Sequence, residues 1–153
     1  MNTHTEKAAE SFLSGCGCAQ AVLAAFTDVT GLDESTALRL ASSFGGGMGR
    51  MREVCGACSA MFMVAGLLYG DYDPTDVKAK SAHYALIQRL ADEFRKEHKT
   101  IICRELLGGM AADRSPNATP RDSKYYQARP CVKFVITAAG ILDRMISEGK
   151  VNH

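Results

Sequence analysis

The sequence predicts an all-α fold, a single-domain bundle of about six or seven helices. Apolar side chains recur with the 3.6-residue period of a helix in each long segment. Glycine, proline and helix-capping residues bound these segments. No alternating apolar and polar run and no Asn-Gly hairpin indicates a strand. With 153 residues, 46% of them hydrophobic, the chain is long enough for one core, so we expect one helical domain over 1–153.

The first half of the chain contains three predicted helices, over residues 5–14, 18–29 and 34–43. Gly31 is expected to end the second helix in a left-handed conformation, since glycine adopts positive φ at no steric cost. Asp33 is expected to cap the third helix, because its carboxylate can accept hydrogen bonds from unpaired N–H groups of the first turn. Both capping residues fall where the apolar period stops or starts.

The second half predicts a buried apolar helix over 54–69 and a long amphipathic helix from Thr75, its expected cap, to about residue 99. A short helix follows at 103–107, closed by two glycines. Residues 111–124 form a polar loop. The last helix starts near Pro130, which fits a first helical turn because its missing N–H has no helical partner there.

Composition excludes several classes of function. A net charge of +1 gives no reason to expect nucleic acid or an anionic membrane as a partner. The longest apolar run, over 57–69, is far shorter than the roughly 20 residues of a spanning helix, so no membrane insertion is expected. The N-terminal residues are polar, without a secretory signal, and the expected location is the cytoplasm. Thiols stay reduced in that compartment, so structural disulfides are not expected.

The chain is organised around residues 44–60, FGGGMGRMREVCGACSA. Four of its glycines lie between residues 45 and 49 and allow sharp turns or close approach of the backbone. One interpretation is an anion-binding nest of N–H groups beside Arg50 and Arg52. The other is a tight connection that lets helices approach each other. The absence of a P-loop lysine and of a GxGxxG pattern favours the connection.

The six cysteines are the candidate functional residues. Four of them begin a predicted helix or lie on its inner face, namely Cys18, Cys55, Cys103 and Cys131. The positive end of a helix stabilises a thiolate, so we expect a lowered pKa and the highest reactivity at Cys55, which opens a helix after the glycines. Arg50 or Arg52 is expected to assist if the loop folds back. The alternative is packing, because free cysteine is a small and frequently buried hydrophobe.

Several segments resemble the family of redox-active proteins named C_GCAxxG_C_C. CGACSA at 55–60 resembles the family signature, with Ala60 in place of its closing glycine. GCAQAVLAAF at 17–26 and FGGGMG at 44–49 are similar to its first cysteine segment and its glycine loop. Similar segments occur beside haem modules in split-Soret cytochromes, but Cys58 lacks the following histidine of a haem-attachment site. The resemblance implies redox activity and assigns the four family positions to Cys18, Cys55, Cys103 and Cys131, with Cys16 and Cys58 as additional thiols.

Those four cysteines are the predicted ligands of a cofactor or metal. Four thiolates from four helices can hold an iron–sulfur cluster for electron transfer, and the same set can hold structural zinc. Zinc ligands usually come in close pairs, and within this set of four no two cysteines are close in sequence; Cys55 pairs with the additional Cys58 instead. We therefore rank the cluster above zinc. The sequence does not identify the redox partner protein.

Two other functions remain open. Cys55 and Cys58 have the Cys-x-x-Cys spacing of thiol–disulfide oxidoreductases and would be the catalytic pair in that case. A non-redox binding module with packed cysteines would dimerise through the apolar helix at 57–68, which makes a homodimer an arrangement to test.

Overall fold

A computed structural model describes residues 3–149 and is all-α over that range. We number nine helices: α1 (His4–Leu13), α2 (Cys18–Ala25), α3 (Thr27–Thr30), α4 (Glu34–Ala41), α5 (Gly56–Tyr69), α6 (Val77–His98), α7 (Cys103–Leu107), α8 (Ser123–Ala128) and α9 (Cys131–Ser147). Short 3₁₀ turns lie at Ser42–Phe44 and Gly108–Ala111. The residues described contain no strand, and one isolated antiparallel bridge joins Val54 to Ile102.

The core lies between α2, α5 and α9, which pack against one another. Helix α1 covers α2 and α9, α4 covers α2, and α6 covers α5 and α9. Small residues dominate the buried faces, including Ala19, Ala21, Ala57, Ala60, Ala138 and Ala139, all fully buried. Such residues let helix axes approach closely, while larger side chains such as Phe26 and Phe94 fill the remaining space.

The predicted helical class is confirmed, and the count is higher than predicted for two local reasons. Phe26 leaves helical geometry with φ −108° and ψ 20°, so the segment predicted at 18–29 is divided into α2 and α3. Helix α8 lies partly inside the residues predicted to be a loop. The predicted caps Gly31, with φ 79°, and Asp33, which accepts from the Thr36 N–H, are both observed.

The predicted cap of the long helix is wrong by one residue. Asp76 caps α6 by accepting a hydrogen bond from the Ala79 N–H. Thr75 donates its hydroxyl to Asp73 at 2.7 Å instead, inside the preceding turn. A carboxylate is an N-cap at least as good as a hydroxyl, so the neighbouring aspartate takes the position.

The glycine loop adopts a left-handed conformation rather than a simple turn. Five consecutive residues from Gly46 to Arg50 have φ between 59° and 70°, and Arg52 follows with φ 63°. Left-handed backbone costs roughly 1–2 kcal/mol at each non-glycine position such as Met48. The loop closes on itself through the Arg52 N–H, which donates to the Gly46 carbonyl at 3.1 Å. Strain of this kind is stored where the surrounding structure fixes the backbone, often at a functional site.

Within the residues described, no helix combines the length and the apolarity that crossing a membrane requires.

Candidate four-cysteine centre

Four helices begin at one cavity, and each brings a cysteine to it. Cys18, Cys103 and Cys131 are the first residues of α2, α7 and α9, and Cys55 is the N-cap of α5. All four line a cavity of about 560 Å³. The N-terminus of a helix carries a partial positive charge and unpaired N–H groups. The cavity therefore collects four thiols and four positive helix ends.

A short stretch of paired backbone places two of these cysteines side by side. The Cys55 N–H donates to the Ile101 carbonyl at 2.8 Å, and the Cys103 N–H donates to the Glu53 carbonyl at 2.6 Å. These bonds flank the bridge between Val54 and Ile102. The pairing fixes the starts of α5 and α7 relative to each other, although the two cysteines are distant in sequence.

Glycines bring the backbone against the cysteines on one side of the cavity. A Cβ atom added to Gly56 would lie 2.5 Å from the Cys18 sulfur. One added to Gly47 would lie 2.6 Å from the Cys103 Cβ. We call this side the backbone wall, and its members are Gly17, Gly45, Gly46, Gly47, Gly49 and Gly56 with Cys18, Cys55 and Cys103. The loop is thus a tight connection, and it also lines the cavity.

Arg52 is buried beside the thiols. It is 1% exposed, and its Nη1 atom lies 3.9 Å from the Cys103 sulfur. Its Nε and Nη2 atoms donate to the Asp113 carbonyl oxygen at 3.3 and 3.2 Å. No carboxylate of the described chain forms an ion pair with Arg52, so its buried positive charge faces the cavity beside the Cys103 thiol.

Arg50 attaches the loop at 112–122 to the glycine loop. Its guanidinium donates to the Ser115 carbonyl at 2.8 Å and to the Thr119 hydroxyl at 3.0 Å. It also pairs with the Asp113 carboxylate at 3.2 Å. The contact covers one edge of the cavity, since Pro116, Ala118 and Thr119 belong to its lining.

A second side of the cavity consists of long side chains. The Arg121 guanidinium stacks on the rings of Phe12 and Tyr125 at 4.6 and 4.7 Å, and it donates to the carbonyls of Phe12 and Cys16. Arg129 stacks on the same Tyr125 ring at 5.3 Å. We call Phe12, Arg121, Tyr125, Arg129 and Cys131 the side-chain wall. Cations held on aromatic faces keep their charge near the cavity.

The lining is positively charged. It contains four arginines and no aspartate or glutamate. Among the described residues, only Arg50 of these four forms an ion pair with a carboxylate. The cavity therefore favours an anionic occupant, whether thiolates, an anionic cofactor or an acidic ligand.

Burial of the thiols and repulsion among them raise the thiol pKa values by more than the surrounding positive charge lowers them. Burial, and secondarily the neighbouring cysteines, raise the pKa of Cys18 from 9.0 to about 12 and that of Cys131 likewise. Burial also raises the pKa of Cys103, opposed by Arg52. Cys55 and Cys103 raise the pKa of Cys18, and Cys18, Cys55 and Cys103 raise that of Cys131, as expected for groups around one cavity.

The predicted activation of Cys55 is wrong for this arrangement. A hydrogen bond with the Cys58 side chain, followed by burial, raises the pKa of Cys55 well above its ordinary value. The N–H groups of Ala57 and Cys58 at the helix start do lower it, as predicted, but by less. Arg52, one of the two arginines expected to assist Cys55, lies against Cys103 instead.

The two additional cysteines lie outside the cavity lining. Cys58 is fully buried one turn into α5, behind Cys55. Cys16 is partly exposed, and its carbonyl accepts the hydrogen bond from Arg121 at 3.1 Å. All six cysteines are free thiols.

The four cavity cysteines fit an iron–sulfur cluster in their donor chemistry, since four thiolates are its usual ligands. The buried positive groups around them match the negative charge that thiolate ligands bring. No three His, Cys, Asp or Glu side chains of residues 3–149 are already arranged to hold a single metal ion. Because the thiols are protonated at neutral pH when empty, metal binding must release protons.

Sequence reasoning misses the side-chain wall. The segment RDSKYYQAR at 121–129 lies partly in the predicted loop, although Asp122 is a strong N-cap and accepts from the Tyr125 N–H at 2.8 Å. The signal that could have found it is a pair of arginines on either side of two tyrosines, just before Cys131.

Comparison with known proteins is consistent with this geometry. Neither the curated proteins nor the solved structures contain a match to the chain. A family model described as "Putative redox-active protein (C_GCAxxG_C_C)" matches residues 16–145, which include all four cavity cysteines. Since the match covers most of the chain, this protein belongs to the C_GCAxxG_C_C family of redox-active proteins.

Proposed function

We propose that this protein binds an iron–sulfur cluster through Cys18, Cys55, Cys103 and Cys131 and transfers electrons through it. One observation carries the proposal: all four family cysteines lie at helix starts that meet at one cavity, whose lining holds four arginines and no carboxylate. A cluster would supply reversible one-electron chemistry at this position.

The chain itself contributes position and charge. In the backbone wall, Gly56 packs against the Cys18 sulfur and Gly47 against the Cys103 Cβ, so the backbone lies directly against these two cysteines. Arg52 and the four helix ends offset the negative charge of the thiolate ligands. The free thiols fit a reducing compartment, which for this chain we propose to be the cytoplasm.

The choice of a cluster over zinc rests on the arrangement of the thiols. A structural zinc ion requires four sulfurs about 2.3 Å from one centre. A cluster presents several iron atoms, so its thiolates stand further apart around a larger volume. The size of the cavity supports the cluster.

Metal content distinguishes the alternatives. We expect protein purified without oxygen, or reconstituted with iron and sulfide, to be brown and to contain iron and acid-labile sulfide. Each of Cys18→Ser, Cys55→Ser, Cys103→Ser and Cys131→Ser should lose most of this iron. Cys16→Ser is the matched control, because Cys16 is two residues from Cys18 but outside the cavity lining. Iron content that is equal in all five variants would contradict the proposal.

A thiol–disulfide exchange function is the second candidate, and the hydrogen bond between the Cys55 and Cys58 side chains favours it. Here Cys55 would attack a disulfide and Cys58 would resolve the mixed disulfide. Cys58→Ser separates the two functions. It should leave iron content nearly intact if a cluster is held, and it should trap mixed disulfides at Cys55 if the pair exchanges. The raised pKa of Cys55 and the complete burial of Cys58 weigh against exchange.

The non-redox dimer stays a prediction. The apolar helix expected to form its interface is α5, whose side chains from Ala57 to Met61 are buried within the single chain, whereas Leu67 is 43% exposed. The buried part of the helix packs against α2, α6 and α9.

A further inference from the structure

We propose that the same cavity binds a small, flat organic carboxylate, paired with Arg129 beside the Tyr125 ring. This inference goes beyond the proposed function, and it rests on the size, charge and shape of the cavity.

The cavity has the dimensions of a small-molecule site. Its volume of about 560 Å³ falls within the roughly 300–1,000 Å³ that such sites occupy. Beyond the cysteines its lining includes apolar side chains, among them Leu106, Leu107, Pro116 and Phe134. An apolar surface beside cations suits an organic anion better than a bare inorganic one.

Arg129 is the cation best placed to receive that anion. The guanidinium groups of Arg50, Arg52 and Arg121 already donate hydrogen bonds to protein groups. Arg129 makes no side-chain hydrogen bond or ion pair within residues 3–149, and its guanidinium rests on the Tyr125 ring at 5.3 Å. It lines the cavity together with Cys103 and Cys131. A planar guanidinium presents parallel donors that match the two oxygens of a carboxylate.

The neighbouring faces favour a flat body. Phe12 and Tyr125 present aromatic rings at the cavity, and the Arg121 guanidinium is stacked between them. An aromatic body can stack on a planar guanidinium, so a flat ligand suits the cations that cover these rings. Gly15 and Gly17 line the cavity without side chains that would obstruct such a body.

Binding of 2-naphthoate tests the proposal directly. The protein contains no tryptophan, so the fluorescence of this flat carboxylate can be followed without a tryptophan background. We expect saturable 1:1 binding to the iron-free protein, and binding at least about ten-fold weaker for the neutral 2-naphthamide, which has the same shape. Equal affinity for the two compounds, or no binding of naphthoate, would overturn the proposal. If inorganic phosphate displaced naphthoate at a similar concentration, the claim that the site prefers a flat, organic anion would be overturned.

Variants locate the site. Arg129→Gln should weaken naphthoate binding at least about ten-fold and remove the preference over naphthamide. Arg95→Gln is the matched control, because Arg95 is a helical surface arginine outside the lining. An Arg129→Gln protein that binds like the wild type would reject the site. If Arg129→Gln does not fold by circular dichroism, the comparison of naphthoate with naphthamide on the wild type still decides.

The same titration on iron-loaded protein separates this inference from the proposed function. Naphthoate binding with no iron uptake would reject the cluster and retain the carboxylate site. Iron uptake without naphthoate binding to the iron-free or the iron-loaded protein would retain the cluster and reject the carboxylate site. Binding to the iron-free protein that iron uptake abolishes would support both, as two occupants of the same cavity.

Discussion

The two walls of the cavity are built in different ways. The backbone wall consists of glycines packed against sulfur and main-chain atoms, with no space for one additional carbon at Gly47 or Gly56. The side-chain wall consists largely of Arg121, Tyr125 and Arg129, whose long side chains contact one another by stacking rather than through packed backbone. The first is suited to fixing ligands for a cofactor, and the second to adapting to a molecule that enters and leaves.

The largest expected effect is that of Gly47→Ala on the backbone wall. The new Cβ would lie 2.7 Å from the Glu53 nitrogen and 2.6 Å from the Cys103 Cβ, at a residue whose φ is 70°. Overpacking and left-handed strain together should lower the free energy of unfolding by about 3 kcal/mol. Urea denaturation measures it. Gly45→Ala is the control, since Gly45 has φ −67° and open space around its Cβ position. Similar losses for both variants would contradict the rigid wall.

Gly56→Ala should have the next largest effect. Its Cβ would lie 2.5 Å from the Cys18 sulfur and 2.7 Å from the Phe44 carbonyl oxygen. We expect a loss of about 2 kcal/mol in the free energy of unfolding, together with reduced iron binding because Cys18 must move. Gly66→Ala in the same helix meets no atom within 4 Å and should gain about 0.5 kcal/mol from its better helix propensity. A Gly56→Ala protein with unchanged stability and iron content would show that the backbone wall can accommodate an added carbon at this position.

Arg121→Met tests the side-chain wall and should cost less. It removes two hydrogen bonds to main-chain carbonyls, one to the Tyr126 hydroxyl and three stacking contacts, for a loss of about 1.5 kcal/mol. Arg129→Met removes only the stacking on Tyr125 and should cost about 0.5 kcal/mol. Urea denaturation of both variants gives the comparison. If Arg129→Met is as damaging as Gly56→Ala, this wall is not adaptable.

The smallest expected effect is on the pH dependence of stability, and it involves one cysteine from each wall. The pKa values of Cys18 and Cys131 are raised to about 12 in the folded protein, so unfolded thiols ionise first as the pH rises. Their contribution to stability is complete below pH 9.0 and is lost as the pH climbs toward about 12. The iron-free wild type should therefore lose more stability from about pH 8 to about pH 10 than Cys18→Ser does. If the stability of the two proteins changed equally with pH, the burial of the Cys18 thiol would be contradicted.

Local signals explain what the sequence could predict. Asp33 and Gly31 act within a few residues of their own positions, so their roles were predictable. The placement of four cysteines at helix starts followed from the same reasoning, and the family motif selected the same four. The length of α6 was predicted to within two residues because its apolar period is uninterrupted.

What could not be predicted depends on contacts distant in sequence. The position of Arg52 beside Cys103 follows from the left-handed loop and from the Asp113 carbonyl, neither of which leaves a periodic signal. The pKa of Cys55 reverses the prediction because burial and Cys58 outweigh the helix end, a balance that only the packed structure reveals. The side-chain wall depends on Arg121 reaching the carbonyls of α1 and of the residues that follow it.

The convergence of four helix starts also bears on the order of folding. Cys18 lies near one end of the described chain and Cys131 near the other, so the cavity closes only after α9 has packed against α1 and α2. Contacts between such distant segments form late, because the entropy of closing a long loop must be overcome first. A chain emerging from the ribosome would expose three thiols before the fourth is synthesised. Assembly of the centre is therefore expected to follow translation, and the unfinished site is the stage most exposed to oxidation.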